Sequence, residues 1–269
     1  MIERALAGLL VAGTVALAAR RAHALSLDGA TAAVMIGALA VTAGWAWGAL
    51  LIAYFAASIA LSRLRGAEKA ERTGDVVAKG GARDAFQVVA NGGLFAVAAI
   101  IGATLSPESP IARTVAAAAL GALAASAADT WATEIGSLAT RPPRSILTWR
   151  PVPPGTSGGV NLLGMSAMVA GAAFVAYAGR ALAIDVPVVA VVLAGFLGAI
   201  ADSVVGATLQ DRRWCDTCQK STERLVHGCG TATRHAGGIT LVDNDLVNLI
   251  ATFAGAAIAA LLVHSDPLA

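Results

Sequence analysis

Two aspartates stand at the ends of long apolar runs and are the first candidates for chemistry. Asp129 and Asp202 each precede a hydroxyl residue and have no basic residue close by in the sequence. A carboxylate within a membrane is costly and usually marks a functional site, although at the end of a span it can be a solvated helix cap. Glu134, just beyond Asp129, is a third candidate. Because hard carboxylate oxygens beside a phosphate suit Mg²⁺, these three acids predict a magnesium site.

A glycine-rich run before one apolar segment predicts an anion site. The run is Gly155-Thr156-Ser157-Gly158-Gly159. Exposed N–H groups at the start of a helix, together with hydroxyls, bind anions such as phosphate, and Arg144 in the preceding proline-rich arm adds positive charge. An ordinary capped turn at the start of a helix is the alternative interpretation. The run is not a Walker A motif, because it lacks the Gly-Lys-Ser/Thr ending.

Polar residues recur at the same end of other apolar segments. Arg83, Gln87 and Asn91 are spaced one helical turn apart, so one helix face carries them towards the membrane, with Lys79 just before it. A weak internal repeat extends the pattern, since two segments end in Ala-Asp-Thr/Ser and three begin near Val-Asn or Ala-Asn; chance similarity is the alternative. The further candidates for substrate or phosphate binding at this depth are Asn161, Ser203, Gln210, Asn244 and Asn248.

All three cysteines of the chain lie in one short segment that also holds two histidines. The predicted ligands are Cys215, Cys218, His227 and Cys229, with His235 as the alternative to His227. Four such ligands fit a tetrahedral zinc ion. Reduced thiols without a metal and a redox switch are the alternatives. The predicted zinc-binding insert spans residues 212–236 and would clip the longest loop without taking part in the chemistry.

The composition places these residues in a membrane protein. Hydrophobic residues make up 57% of the 269 residues and charged residues 13%, whereas a soluble domain is nearer a quarter charged. Abundant Gly and Ala favour close packing of membrane helices. A net charge of +2 gives no reason to expect nucleic acid as a partner. We therefore predict an all-α polytopic transmembrane helical bundle that forms a single membrane domain over residues 1–269.

Eight charge-poor stretches are candidate spans, since a spanning helix needs about 20 apolar residues. They are 5–19, 30–43, 45–61, 87–105, 112–128, 160–178, 186–204 and 246–263. The stretch 30–43 is short, and the glycines and tryptophans at 44–48 predict a tight turn or a re-entrant tip, so seven spans is the alternative to eight. Residues 5–19 also resemble the core of a signal peptide, but Arg20 and Arg21 make a cleaved signal the weaker interpretation.

The basic residues predict how the bundle lies in the membrane. With eight spans, all but Arg4, Arg113 and Arg180 of the 19 Lys and Arg residues fall on one side, which the positive-inside rule makes cytoplasmic. The loops at 62–86, 129–159 and 205–245 are then cytoplasmic, and both termini are outside. We predict an integral protein of the cell (inner) membrane whose functional loops face the cytoplasm.

Five motifs in one order resemble a known family. They are Arg83-Asp-Ala-Phe-Gln-Val-Val-Ala-Asn-Gly, Ala128-Asp-Thr-Trp-Ala-Thr-Glu-Ile-Gly, Val152-Pro-Pro-Gly-Thr-Ser-Gly-Gly, Ala201-Asp-Ser-Val-Val-Gly-Ala-Thr-Leu-Gln and Asn244-Asp-Leu-Val-Asn. They resemble the integral membrane family of transmembrane protein 19 and the plastid phytyl-phosphate kinase (domain of unknown function 92). The resemblance implies transfer of a phosphoryl group from a nucleoside triphosphate, such as CTP, to an isoprenyl or phytyl monophosphate. The implied partners are these two substrates and membrane lipid.

A kinase of this kind depends mainly on positioning and charge neutralisation. Asp129, Glu134 and Asp202 would be its catalytic, magnesium-binding residues, while Arg83, Arg144 and the glycine run bind phosphates. A transporter or flippase of lipid phosphates or small anions is the alternative, because acids within helices also line transport pathways. Against it, the opposite side of the chain carries few polar groups, and a structural scaffold would leave the isolated acids unexplained.

Overall fold

The computed structural model describes residues 2–265, and helices account for most of them. In chain order the helices are α1 (Ile2–Arg21), α2 (Leu27–Ala43), α3 (Trp45–Arg63), α4 (Gly66–Thr73), α5 (Ala85–Thr104), α6 (Pro110–Gly136), α7 (Leu162–Ala181), α8 (Val188–Thr208) and α9 (Asn244–His264). Short strands lie in the connections: β1 (Arg144–Ser145), β2 (Gly159–Val160), β3 (Arg212–Cys215), β4 (Lys220–Thr222) and β5 (Arg234–Gly237).

Seven helices of the described residues are long and apolar enough to cross a membrane. The exceptions are the polar helix α4 and the 17-residue α2. At 1.5 Å per residue α2 is about 26 Å long, slightly short of a hydrocarbon core of ~30 Å. The prediction of an all-α transmembrane bundle is therefore confirmed, with the second predicted span as its shortest member. The side of the membrane on which each terminus lies stays a prediction.

Helix α6 lies at the centre of what we call the packed half, formed by α6, α7, α8 and α9. Every residue from 119 to 128 is buried, and nearly all of them are Ala, Gly or Leu. A Cβ added at Gly255 of α9 would lie only 2.5 Å from the carbonyl oxygen of Gly121. Because lipid tails are as apolar as the helices, close contacts between small residues are what hold membrane helices together.

The remaining apolar helices, α1, α2, α3 and α5, form what we call the open half. Helix α2 packs against α1, α3 and α5. Along α1 about one residue per turn is buried; these are Gly8, Ala12, Ala16 and Ala19. Gly44 alone separates α2 from α3, so a tight turn is present where the sequence predicts one. Helix α5 begins with a capping box between Asp84 and Gln87, which fixes the start of the polar face that follows.

The long connections meet at one end of the bundle. The Arg63 guanidinium at the end of α3 donates to the Ala22 carbonyl at 2.6 Å, and the Arg224 guanidinium donates to the Gly74 carbonyl at 2.9 Å. β1 and β2 form an antiparallel pair, and β4-β3-β5 form a three-stranded sheet that occupies the predicted insert. The segments that the charge pattern assigns to one side of the membrane therefore lie together.

Two of the predicted loops begin with helical residues, and their cytoplasmic location stays a prediction. Helix α6 continues to Gly136 and α8 to Thr208, so the first parts of the predicted loops at 129–159 and 205–245 are helical. Helix α6 continues because residues beyond its aspartate still find packing partners. The Trp131 ring, for example, lies 5.4 Å from the Phe174 ring of α7.

Candidate functional site

A polar cleft opens between the helices at the end where the connections meet. It has a volume of about 390 Å³. Most of the predicted site residues line it, namely Lys79, Arg83, Gln87, Asn91, Asp129, Glu134, Gly155, Thr156, Ser157, Gly158, Gly159, Asn161, Asp202, Ser203, Asn244 and Asn248. Motifs that are far apart in the sequence therefore share one cleft.

Asp129 and Asp202 are neighbouring acids within this cleft. They lie about two turns before the ends of α6 and α8, so the prediction that they end their spans is wrong. Neither forms an ion pair with a described residue, and Oδ2 of Asp202 is buried without a hydrogen-bond partner there. Two neighbouring buried acids without a counter-charge are unfavourable when both are ionised, unless a proton or a cation neutralises them. The pair therefore fits a hard divalent cation such as Mg²⁺.

Glu134, the third predicted magnesium ligand, already has a cationic partner. Its carboxylate forms a salt bridge with Lys69 of α4. Lys69 is buried and also donates to the Leu61 carbonyl at 2.7 Å. A buried lysine requires such compensation, so Glu134 lines the cleft with its charge neutralised. Sequence reasoning missed Lys69 because it stands in a run of charges that looks like a solvated surface.

Glu223, which sequence reasoning also missed, is a second acidic neighbour of Asp202. It follows β4 and lines the cleft. The Ser157 hydroxyl donates to Glu223 Oε1 at 2.5 Å, and the Glu223 N–H donates to the Val76 carbonyl at 2.8 Å. Burial raises the pKa of the Glu223 carboxyl in spite of these hydrogen bonds. The acid that accompanies Asp129 and Asp202 is thus Glu223, carried in by a distant loop.

The glycine run does not start a helix, contrary to the prediction. Gly159 begins β2, and Asn161 caps the first turn of α7. The Asn161 Oδ1 accepts from the Gly164 N–H at 2.8 Å, and its amide donates to the Gly136 carbonyl at 3.0 Å. Both ends of the Asn161 side chain are thereby used to join α7 to the end of α6. One N–H of this amide is left for the predicted contact with phosphate, which stays a prediction.

The glycine run instead forms a wall of the cleft. Gly158 has a φ of +74°, and a Cβ there would lie 2.6 Å from the Ser203 carbonyl oxygen, so glycine is required for the approach to α8. The N–H and the hydroxyl of Ser157 both donate to Glu223. The run therefore holds the Glu223 carboxylate at the wall of the cleft, and its binding of an anion stays a prediction.

Lys79 joins the starts of two helices. Its Nζ donates to Asp84 at 2.7 Å, before α5, and to Asp245 at 2.5 Å, at the start of α9. Partial burial lowers the pKa of Lys79, but the two carboxylates outweigh it and raise the pKa overall. Asp245 is buried and was missed, although it stands between the predicted Asn244 and Asn248. Much of the Lys79 charge is therefore compensated.

Arg83 and Arg141 are the cleft-lining arginines. Neither forms an ion pair with a described residue. A guanidinium without a carboxylate partner retains its full charge and its planar set of donors, which suits phosphate oxygens. Arg83 and Arg141 are therefore better candidates for phosphate binding than Lys79, whose charge is compensated by two carboxylates.

Arg144 and Gln210 are the predicted residues that do not line the cleft. Arg144 is exposed, and its guanidinium donates to the Trp149 carbonyl at 2.8 Å, across the turn after β1. Gln210 is buried and its side chain is hydrogen-bonded to Glu223. Arg144 therefore stabilises the turn after β1, while Gln210 helps to hold the side chain of Glu223, which lines the cleft.

An apolar groove of about 100 Å³ adjoins the cleft and runs between the helices of the open half. Its apolar walls include Val11, Val15, Ile36, Val41, Leu51, Ile52 and Phe55. Arg83, Gln87, Asn91 and Thr130 line both the groove and the cleft. At this junction the Asn91 Oδ1 accepts from the Ser126 hydroxyl at 2.7 Å. The groove therefore ends where the polar groups begin.

The predicted zinc ligands also come together, at the edge of the three-stranded sheet. Cys215, Cys218, His227 and Cys229 have ligand atoms that all lie within 4.8 Å of one another. His235, the alternative ligand, lies elsewhere, with its Nδ1 2.7 Å from Asp211. His227 is therefore the histidine that the fold assigns to the cluster.

Known proteins match this chain along most of its length. The family described as "Integral membrane protein DUF92" matches residues 10–256. "Protein PGR" of Arabidopsis thaliana is 30% identical over 271 residues, with 92% of each chain covered. "Uncharacterized membrane protein MJ0933" of Methanocaldococcus jannaschii is 27% identical over 264 residues, which cover 96% of this chain and 94% of that protein. No solved structure matches significantly.

Proposed function

The chain belongs to the integral membrane protein family DUF92, and we propose that it is a membrane-embedded kinase acting on a lipid monophosphate. The family and the membrane location agree with the sequence prediction. The proposed reaction transfers the terminal phosphoryl group of a nucleoside triphosphate to an isoprenyl or phytyl monophosphate. The observation that carries the proposal is the junction between the apolar groove and the polar cleft.

The junction offers an environment for each part of such a substrate. An isoprenyl tail would lie along the groove, between apolar side chains such as Val15 and Ile36. The phosphate head would then lie beside Arg83, the charged residue that the groove and the cleft share. A small water-soluble anion would make no use of the groove. A transporter would in addition need polar groups along a path to the other face.

The neighbouring acids supply a reason for a divalent cation in the cleft. Asp129 and Asp202 would hold Mg²⁺, with Glu223 beside them. When bound, the ion would neutralise charge on the transferred phosphoryl group. Glu134, neutralised by Lys69, would serve to fix α4 at the cleft wall.

The two unpaired arginines would divide the phosphates between them. Arg83 lies at the groove junction and would bind the lipid phosphate. Arg141 lines the cleft but not the groove, and it would bind the nucleoside triphosphate. An oxygen of the lipid monophosphate attacks the terminal phosphorus of the nucleotide. The bond from that phosphorus to its bridging oxygen breaks, the nucleoside diphosphate leaves, and a lipid diphosphate forms. No protein side chain has to form a bond, so positioning and charge compensation suffice.

The test is a transfer assay with the purified full chain in lipid nanodiscs. Mg²⁺, a panel of terminally labelled nucleoside triphosphates including CTP, and isoprenyl or phytyl monophosphates of several lengths are supplied. We expect labelled lipid diphosphate in equal amount to the nucleoside diphosphate released, and no product from the matching lipid alcohol. If no nucleotide yields product while the chain moves lipid phosphates across a vesicle membrane, the transporter interpretation replaces the kinase.

We further propose that the protein lies in the cell membrane with its cleft on the cytoplasmic side, because nearly all basic residues lie at the end of the bundle where the cleft opens. Thr148 and Asp185 are exposed residues in connections at opposite ends of the helices. An impermeant thiol reagent on intact cells should label a Thr148→Cys variant only after lysis and an Asp185→Cys variant before it. Strong labelling of Thr148→Cys in intact cells would reverse the orientation.

A further inference from the structure

The cysteine cluster is a site that the proposed reaction does not use. The Cys215 and Cys229 sulfurs lie 3.6 Å apart, and Nδ1 of His227 lies 3.3 Å from the Cys229 sulfur. In a tetrahedral zinc site with Zn–S of about 2.3 Å and Zn–N of about 2.0 Å, neighbouring ligand atoms are about 3.4–3.8 Å apart. A disulfide would instead bring its sulfurs to about 2.0 Å. These two distances are close to those of a metal-ligand set, and all four ligand atoms lie within 4.8 Å of one another.

Two tight turns present these ligands to one another. The Gln219 N–H donates to the Cys215 carbonyl at 2.9 Å, which closes the turn between β3 and β4 around the first two cysteines. The Gly230 N–H donates to the His227 carbonyl at 2.8 Å, which closes a second turn around the histidine and the third cysteine. Each turn offers two ligands, and the spacing of Cys215 and Cys218 is common in structural zinc sites.

The segment that carries these turns, residues 209–243 with the three-stranded sheet, is called the lobe here and has almost no apolar core. Its buried side chains over residues 209–243 are Gln210, Cys215, Thr222, His227, Thr233 and Val242. A unit of fewer than about 40 residues rarely folds without disulfides, a metal or an oligomeric partner. The three cysteines are free thiols, so a disulfide does not supply the missing stabilisation.

The lobe is also attached directly to the cleft. The Thr222 hydroxyl at the end of β4 donates to the Asp75 carbonyl at 2.8 Å, and the next N–H, of Glu223, donates to the Val76 carbonyl at 2.8 Å. The Glu223 side chain then enters the cleft beside Asp202. The position of this acid therefore depends on how well β4 is held.

We propose that Cys215, Cys218, His227 and Cys229 bind one structural Zn²⁺, and that this ion holds β4 against residues 74–78 so that Glu223 stays in the cleft. The ion closes the two turns on each other and replaces the core that the lobe lacks. The proposal concerns the fold of the lobe, so it stands or falls independently of the reaction in the cleft.

Metal content of the full chain, purified in detergent without added metal, tests the first part. We expect about one zinc per chain, loss of zinc in His227→Ala and in the Cys215→Ser, Cys218→Ser double variant, and retention in His235→Ala. His235→Ala is the matched control because that histidine belongs to the same lobe. Zinc absent from the wild type, zinc retained by the double variant, or a disulfide between the cysteines would overturn the site.

Hydrogen exchange tests the second part without reference to activity. Removal of zinc from the wild type by a chelator should speed exchange in peptides covering 74–80 and 220–226 by about tenfold or more, while 119–128 in α6 is unchanged. Addition of zinc should restore the slow rate, which makes the experiment independent of whether a variant folds. Unchanged exchange in both peptides after zinc has left would show that the ion does not hold β4.

Discussion

The packed half and the open half of the bundle bury their helices to very different extents. In α6 every residue from 119 to 128 is buried, and this half carries Asp129 and Asp202. In α1 about one residue per turn is buried, and the groove runs along it. The groups that would position charge thus stand on the tightly packed helices, and the space for an apolar chain lies between the looser ones.

The difference follows from the physics of the two tasks. Charge compensation in a phosphoryl transfer requires side chains held to within about 0.5 Å, which close backbone packing provides. Apolar contact is non-directional and scales with area, so a tail tolerates a less exact wall. We therefore expect substitutions in the packed half to affect turnover or folding, and substitutions in the open half to affect substrate choice.

The largest expected effect is on turnover. Asp129→Asn and Asp202→Asn keep the size of the side chain and remove the charge that would hold Mg²⁺. Each should lower kcat by roughly a thousandfold, or about 4 kcal/mol of barrier, with little loss of folded protein. Asp185→Asn in an exposed connection is the control. Near-normal turnover in both variants, at equal folded amounts in the transfer assay, would remove the metal-site proposal.

The next effect is on folding. Gly255→Leu would drive a side chain into the backbone of α6 at Gly121, which should destabilise the bundle by about 3 kcal/mol or more. We expect the Tm in detergent to fall by about 10 °C. Gly13→Leu on α1 is the matched control, since its Cβ would meet open space. Equal Tm values for the two variants would contradict the contrast between the halves.

Loss of the junction arginine should have a smaller effect. Arg83→Ala removes a charged hydrogen-bond donor from the lipid phosphate and should raise KM for the lipid by about tenfold to a hundredfold. Arg144→Ala is the control, because that guanidinium is used within its own loop. A larger loss of activity in Arg144→Ala than in Arg83→Ala would show that the phosphates lie elsewhere.

The smallest effect should fall on chain-length selectivity. Gly92 lines the groove beside Ile36, so Gly92→Leu should fill part of the space for the tail. We expect kcat/KM for long isoprenyl monophosphates to fall by about tenfold relative to short ones, since each buried CH₂ contributes about 0.8 kcal/mol. Gly13→Leu should leave the ratio unchanged. The same ratio in both variants would place the tail outside the groove.

The part of the site that lies on apolar helices was predictable from sequence. An isolated acid such as Asp129 is conspicuous in a run of Ala and Leu, and the polar spacing from Arg83 to Asn91 marks a helix face. These features depend on local pattern alone. The tight packing of α6 likewise follows from its small residues.

The part contributed by loops was not predictable. Glu223, Lys69 and Asp245 stand among other charges, so nothing local distinguishes them from solvated residues. Their roles arise from partners far away in the chain, such as Ser157 for Glu223. The same reason applies to Arg144, which precedes the glycine run in the sequence but lies outside the cleft and donates to the Trp149 carbonyl.

The groove between α1, α2, α3 and α5 has a kinetic consequence. A substrate whose tail lies among spanning helices must arrive by lateral diffusion in the bilayer, and its product must return the same way. The effective concentration is then a mole fraction in the membrane surface, not an amount per volume. Diluting the substrate with inert phospholipid should slow the reaction even when its bulk concentration is constant, whereas the nucleotide should follow ordinary saturation in solution.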